Sequence, residues 1–432
     1  MYFLRSCEGA IRAADVKIEV GVGEAVIKHR HHRAPRWWLA ALLAGLATLG
    51  PFSVDTYLPA FSGMSSDLNA PMLQMQQTLS VYLAAFAFMF LFHGALSDGF
   101  GRKPVILGGL IVFTLASIGC ALSRDIGTLI FFRALQGLSC GAGMVVGRAM
   151  IRDLFDDTDA QKVMSLVTLF FGLAPAIAPI LGGHLYVWFG WTSIFWFLAL
   201  VGLVLTIVSQ RSLHETLPLE ARQSFHPVAL LHGYREVGIN LRFLLLSFAV
   251  GFNFNAFFLY IVSAPVFLSE HLGLGPQEFA WLFMPSIAGI MLGAFISGRV
   301  AGKLSPRKTV SYAYLFMIVA ALANLAYAFA FKLALPWAVL PIFLYAIGSA
   351  MAMPSISLIV LDLFPARRGM ASSLQGFIAG VINAVTAGII APVTWHAPRA
   401  LASGMLVLMV AGLASWWLYL KVTPQRAAIG AP

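Results

Sequence analysis

Stretches of about 20 consecutive apolar residues recur along this chain, and nothing else in it constrains the fold as much. A helix of that length spans about 30 Å, the thickness of a bilayer's hydrocarbon core, with its backbone groups bonded internally. Twelve such runs lie near 37–61, 77–96, 105–122, 129–151, 164–185, 191–209, 243–268, 279–298, 310–331, 336–361, 370–395 and 401–420. Composition agrees, with 59% hydrophobic and 11% charged residues, against roughly 45–50% and 25% in soluble domains. The expected fold class is an all-α integral membrane protein with twelve transmembrane helices.

Charge placement orients the chain. Of the 28 Lys and Arg residues, only Arg124, Lys332 and Arg399 fall in the loops on one side, while Arg133, Arg148 and Arg242 lie within or at the ends of runs. The remainder sit in the N-terminal segment, the alternate loops and the C-terminus, which predicts both termini on the cytoplasmic side. The net charge of +10 is thus accounted for by topology, and no nucleic-acid partner is implied. Residues 1–36 hold no apolar core of signal-peptide length and read as a basic, disordered cytoplasmic tail. Cys7, Cys120 and Cys140 offer no paired spacing, so neither a structural disulfide nor a metal site is expected.

The polar interval 210–241 divides the runs six and six. Short matches recur in order across it. Arg102-Lys103 returns as Arg307-Lys308, and Asp153-Leu154-Phe155 returns as Asp362-Leu363-Phe364. The expected organisation is an N-terminal bundle (37–209), a cytoplasmic linker (210–241), a C-terminal bundle (242–420) and a short cytoplasmic tail (421–432). Parallel six-helix halves with a site between them are a known transporter design.

The turn after the second run, Gly94-Ala95-Leu96-Ser97-Asp98-Gly99-Phe100-Gly101-Arg102-Lys103-Pro104, has chemistry of its own. Gly94 permits close backbone approach, and Gly101 permits a tight turn. Asp98 suits a neighbouring helix N-terminus, while Arg102 can fork onto a carboxylate such as Asp153. Its form, G-x-L-x-D-x-x-G-R-K-P, resembles the signature loop of the major facilitator superfamily. That resemblance implies that Gly94, Asp98, Gly101, Arg102, Lys103 and Asp153 form a cytoplasmic latch that breaks as the halves rock. In the second half Gly293 matches Gly94, but Ser297 stands in the place of the aspartate.

The fifth run carries Gly172, Pro175, Pro179, Gly182 and Gly183, with small residues at 174, 178 and 182 making one face fit for close helix packing. This is similar to the antiporter motif of the same superfamily, and the direction of transport is implied by that resemblance alone. Asp55 is the one carboxylate well inside a run, and Arg133 is a charged group inside another; such residues usually have a role and a partner. At 1.5 Å per residue their depths nearly coincide, so the two are expected to meet. Asp55 is taken as the proton-binding group and Arg133 as its electrostatic modulator, with a structural ion pair as the alternative. Tyr57, Gln136, Asn253, Asn255 and Phe257 are expected to line a mostly aromatic cavity, with lipid-facing aromatics and interhelical Asn bonds as the competing reading.

Ser53-Val54-Asp55-Thr56-Tyr57-Leu58-Pro59-Ala60 and Glu215-Thr216-Leu217-Pro218, together with the 97–104 loop, resemble the bicyclomycin-resistance (Bcr/CflA) subgroup of drug:proton antiporters over about residues 37–420. The resemblance implies export of small amphiphilic compounds or drugs across a bacterial inner membrane, by alternating access. It needs no cofactor, only a proton gradient, with a small molecule, protons and the lipid bilayer as partners of a monomer. The alternative is a narrow-substrate carrier of the same superfamily for a sugar, amino-acid derivative or siderophore. An enzyme is not expected, because no H-E-x-x-H metal-ligand set is present.

Overall fold

The computed structural model describes residues 36–155, 157–222 and 227–423. The basic tail before residue 36 and the C-terminal tail beyond 423 lie outside the described residues. Within them the chain is helical throughout, with no strands. Eleven helices are long and apolar enough to cross a membrane, and a twelfth crossing is a pair bent by 49°.

Spans one to six are Trp37–Asp67, Met72–Phe90 with His93–Phe100, Arg102–Leu122, Ile126–Leu154, Asp159–Phe189 and Thr192–Ser212. Spans seven to twelve are Leu241–Val262, Pro276–Val300, Pro306–Ala330, Leu340–Leu363, Arg368–Thr394 and Pro398–Val422. Helix starts are set by local chemistry. Asp125 caps span four by accepting from the Thr128 N–H at 2.9 Å. Asn240 caps span seven through Arg242 and Phe243, and Ser305 caps span nine through Lys308.

The outward faces are apolar: Leu115, Leu200, Val319 and Val407 are all strongly exposed, as lipid-facing side chains must be. Exposed tryptophans gather at both ends, Trp37 and Trp417 at one, Trp188 and Trp337 at the other, as an aromatic belt would place them. In the first bundle span three packs on spans four and six, and span two on span four. The same pairings recur six spans later, nine on ten and twelve, and eight on ten. The fold is thus two pseudo-symmetric six-helix bundles.

We call the end carrying the Gly101 turn the loop end, and the opposite end the far end. The halves touch through spans two and eleven, and through spans five and eight. Side-chain bonds between them gather at the far end. Gln76 donates to the Val262 carbonyl (3.3 Å), Gln77 to Gly388 (3.1 Å) and Ser80 to Ala384 (2.9 Å).

Three features differ from the sequence reading. Span one runs on to Asp67 and changes character at Thr56–Tyr57, where its α-helix ends at Asp55 and a 3-10 turn, Leu58–Ala60, follows. Pro59 explains the change, since it cannot donate a backbone bond. Span two is bent at Leu91–Phe92 rather than straight. Finally, the linker is not merely polar, because Pro227–Gly238 forms a helix. That helix docks on span eleven, with Gly233 against Met370, Gly238 near Leu374 and Glu236 paired with Arg367. Its Tyr234 hydroxyl also donates to the Leu91 carbonyl at 2.8 Å, at the bend in span two.

Candidate functional site

At the loop end the turn is made by Gly101, whose φ of 102° is one that only glycine adopts without strain. Arg102 sits between carboxylates. Its Nη1 reaches Asp98 (2.5 Å) and the Ser97 hydroxyl (2.6 Å), and its Nε lies 3.4 Å from Asp153. Asp153 also accepts from the Thr216 hydroxyl at 2.8 Å. Sequence reasoning used Glu215 only as a marker of resemblance, yet here it has a physical task. Its carboxylate accepts from the Arg102 and Lys103 N–H groups at 2.9 and 3.3 Å, at the positive end of span three. Arg222 stands 3.7 Å from the same carboxylate, and the Lys103 ammonium donates to the Gln210 carbonyl.

The named bonds of this network stay within the first half and the linker. Gly94 departs from expectation, because a Cβ built on it would meet nothing within 4 Å. The close approach is made instead by its second-half counterpart, Gly293, against the Ile347 carbonyl of span ten. Among the described residues the second copy has no comparable charge network. Ser297 donates to the Met351 carbonyl at 3.4 Å, and Asp362 reaches Arg368 only at 4.0 Å, with both side chains exposed.

Inside the first bundle, Asp55 and Arg133 are both buried, but they do not form the ion pair that their matched depths suggested. Arg133 finds other partners. Its Nη1 donates to Gln136 Oε1 (2.8 Å) and to the Ser53 carbonyl (3.3 Å). Its guanidinium carbon lies 4.2 Å from the centre of the Tyr57 ring and 4.3 Å from that of Tyr82. Two aromatic faces thus hold the cation where water is excluded, the setting in which cation–π attraction is strongest. The reason Asp55 is missed is helical geometry. The Tyr57 ring and the Ser53 hydroxyl, four residues apart, share the side of span one that faces the cage, whereas Asp55, two residues from each, does not share that side.

The rest of the cage was not legible in the sequence. The Tyr82 hydroxyl lies 2.7 Å from Ser53 Oγ, 2.9 Å from Cys140 Sγ and 3.1 Å from the Gly50 carbonyl. The Tyr57 hydroxyl lies 3.2 Å from that of Thr78, and Gln136 donates to Ser117 on span three at 2.7 Å. An apolar or hydroxyl residue in a hydrophobic run gives no signal of this kind.

Expected cavity residues also need correction. Gln136 completes the Arg133 network instead of facing an open cavity, and Tyr57 is a wall of the cage. Asn253 points across to spans nine and twelve, donating to the Tyr314 hydroxyl at 2.9 Å, which in turn donates to the Gly412 carbonyl. Asn255 donates to Asn383 of span eleven at 2.8 Å. Phe257 is buried beside Phe254. The competing reading of interhelical asparagine bonds describes both Asn residues.

The glycine motif of span five is divided by position. Pro175 and Pro179 lie within the helix, and Gly172 faces open space. A Cβ on Gly182 would stand 1.7 Å from the Thr56 carbonyl oxygen, directly after Asp55. One on Gly183 would stand 2.2 Å from the Pro276 carbonyl oxygen, which belongs to the other half. Span five therefore packs against the break in span one and against the far-end seam at neighbouring residues.

Two six-span bundles meeting along a seam, with a broken first span that buries a carboxylate, are the architecture of a membrane carrier. The chain belongs to the Major Facilitator Superfamily, whose sequence profile matches residues 37–387 and 246–432. An uncharacterized MFS-type transporter, YdgK of Bacillus subtilis, is 31% identical over 357 residues, 82% of this chain and 88% of that protein. A bicyclomycin resistance protein homolog of Haemophilus influenzae is 29% identical, covering 80% of this chain and 87% of its own. The multidrug resistance protein MdtL of Escherichia fergusonii is 30% identical, covering 88% and 94%. Among solved structures, a bacterial homolog of the human lysosomal transporter Spinster superposes with a TM-score of 0.73 at 16% identity, over 91% of this chain and 99% of that one. At that identity the likeness concerns the fold.

Proposed function

We propose that this chain exports small amphiphilic compounds or drugs across a bacterial inner membrane in exchange for protons, as a monomer with both termini in the cytoplasm. The observation that carries the reading is Asp55. It is the only buried carboxylate among the described residues, and it sits where the α-helix of span one ends. An ionised carboxylate held out of water without a counter-ion costs several kcal/mol. A proton removes that charge, so loading Asp55 and enclosing it are coupled steps. In alternating access, the carboxylate takes its proton while open to the acidic side and gives it up when the loop end opens.

The names of the relatives support the class of cargo, since two are called multidrug and bicyclomycin resistance proteins. Arg133 contributes by fixing the Ser53 carbonyl and the two tyrosines, which sets the position of the helix segment that presents Asp55. The loop-end charges around Arg102 serve as the latch that exchanges partners as the halves rock.

Everted membrane vesicles energised with a proton gradient test this reading. Native protein should accumulate a lipophilic drug, and Asp55→Asn should not, while still binding the drug in detergent. Uptake by Asp55→Asn at the native rate would remove the coupling role. A native protein that confers no change in susceptibility to any compound of a broad panel would favour the narrow-substrate carrier.

A further inference from the structure

The far end holds a second feature that the transport reading does not use. A cavity of about 580 Å³ opens there, walled by Met72 of span two, Val266 and Glu270 beyond span seven, and Ile389, Trp395 and His396 of span eleven and its end. Volumes of this order suit a drug-sized ligand. The walls are almost wholly apolar, with Val266 and Trp395 themselves buried. Glu270 is the one carboxylate in the lining, and among the described residues it pairs with no cation.

Local structure sets this place apart. Two π-helical turns occur among the described residues, Phe267–His271 and Thr386–Ile390. Both contribute to this one cavity, through Glu270 and through Gly388 and Ile389. Such turns cost helical regularity and are found mostly at functional sites. They are also tied to each other's surroundings. His271 Nε2 lies 2.7 Å from the Trp395 carbonyl, and Gln77 of span two donates to the Gly388 carbonyl.

We propose that this cavity is a binding site for small amphiphilic cations, distinct from the central site around Asp55. The apolar body lies against Met72, Val266 and Ile389, and the cationic group is held by the Glu270 carboxylate beside the Trp395 indole. Charge and shape favour that occupant over its alternatives. The Glu270 carboxylate is exposed, so it repels an anion and adds nothing for a neutral molecule, whereas a cation gains its attraction. Met72 and Leu73 come from the first half and the other walls from the second. An occupant therefore bridges the seam and holds the far end closed, which makes an external cation an inhibitor of turnover.

The test is equilibrium dialysis of the purified full chain in detergent with tetraphenylphosphonium, and with tetraphenylborate as the same shape bearing the opposite charge. Glu270→Gln should weaken phosphonium binding about two- to fivefold, the upper range of an exposed ion pair, and leave tetraphenylborate unchanged. Ile389→Trp, a substitution at the exposed rim that fills the cavity, should remove the component sensitive to Glu270. That component should persist in Asp55→Asn protein, which separates it from the proton-coupling role of Asp55 and so from the export reading. Reconstitution in phosphatidylethanolamine should compete with the probe if a lipid amine is the resident cation, whereas phosphatidylglycerol should not. The proposal is overturned if Glu270→Gln and Ile389→Trp, both monodisperse and of native Tm, leave the phosphonium isotherm unchanged. Equal loss of tetraphenylborate binding in Glu270→Gln would also overturn it, as would equal competition by both lipids.

Discussion

Replacing each glycine of the span five motif by alanine should give three different outcomes from one chemical change. For Gly183→Ala the new methyl would stand 2.2 Å from the Pro276 carbonyl oxygen, whereas ordinary contact begins at 3.4 Å. The two elements must part by about 1.2 Å, a misfit that typically costs about 1–3 kcal/mol. That contact joins opposite halves at the far end, so the cost falls only on the arrangement in which the far end is closed. A bias of this size changes the equilibrium between the two arrangements by about 5- to 150-fold. Spin labels at Arg124 and Lys332, one exposed far-end loop residue from each half, should show a shift of the distance distribution to longer values. Gly182→Ala meets the Thr56 carbonyl oxygen inside the first bundle, so it should lower Tm with little change in that distribution. Gly172→Ala has nothing within 4 Å and should behave as native in both measurements. The reasoning fails if Gly172→Ala shifts the distances as far as Gly183→Ala, or if Gly183→Ala leaves them unmoved.

The Arg133 cage predicts that Arg133→Lys loses transport while keeping the fold, because a lysine cannot present a flat cation to two rings. Tyr82→Phe should cost only about 0.5–1.5 kcal/mol in thermal unfolding, since Ser53 retains its bond to the Gly50 carbonyl. Tyr234→Phe removes the linker helix's bond to span two, and should move the same spin-label equilibrium about two- to tenfold. Asp125 is held below the ordinary carboxylate range, first by the Thr128 hydroxyl and then by the Thr128 N–H. Because the folded pKa is depressed, the cap contributes fully above the unfolded value near 3.9 and is lost as pH falls through the folded one. The Tm difference between native protein and Asp125→Ala should therefore stay constant from about pH 8 to pH 5 and close only in stronger acid.

The spans were legible because a membrane enforces one simple rule, an unbroken apolar stretch of fixed length. The Gly101 turn was legible for a similar reason, since its φ admits few residues and its neighbours are charged. What the sequence hid was rotation about helix axes. In an apolar run every face looks alike, so Asn253 and Gln136 could be set on a cavity wall when they serve packing networks. The same blindness brought Asp55 and Arg133 together by depth alone, when the side of span one that each faces decides the matter. Tyr82 and Cys140 were invisible because their importance lies in a partner on another span. The helix at Pro227–Gly238 was overlooked because its residues sit in a segment that reads as polar overall.

That linker has a mechanical consequence. Glu215 and Thr216 fasten its first part to the first bundle, and the helix beginning at Pro227 is fastened to span eleven of the second. Between Arg222 and Pro227 the chain has five peptide steps, which reach at most about 18 Å when fully drawn out. A connection of some thirty residues therefore behaves as a short leash. It lets the loop ends swing apart on one edge only as far as that reach, so the rocking of the bundles is a hinged motion with a built-in stop.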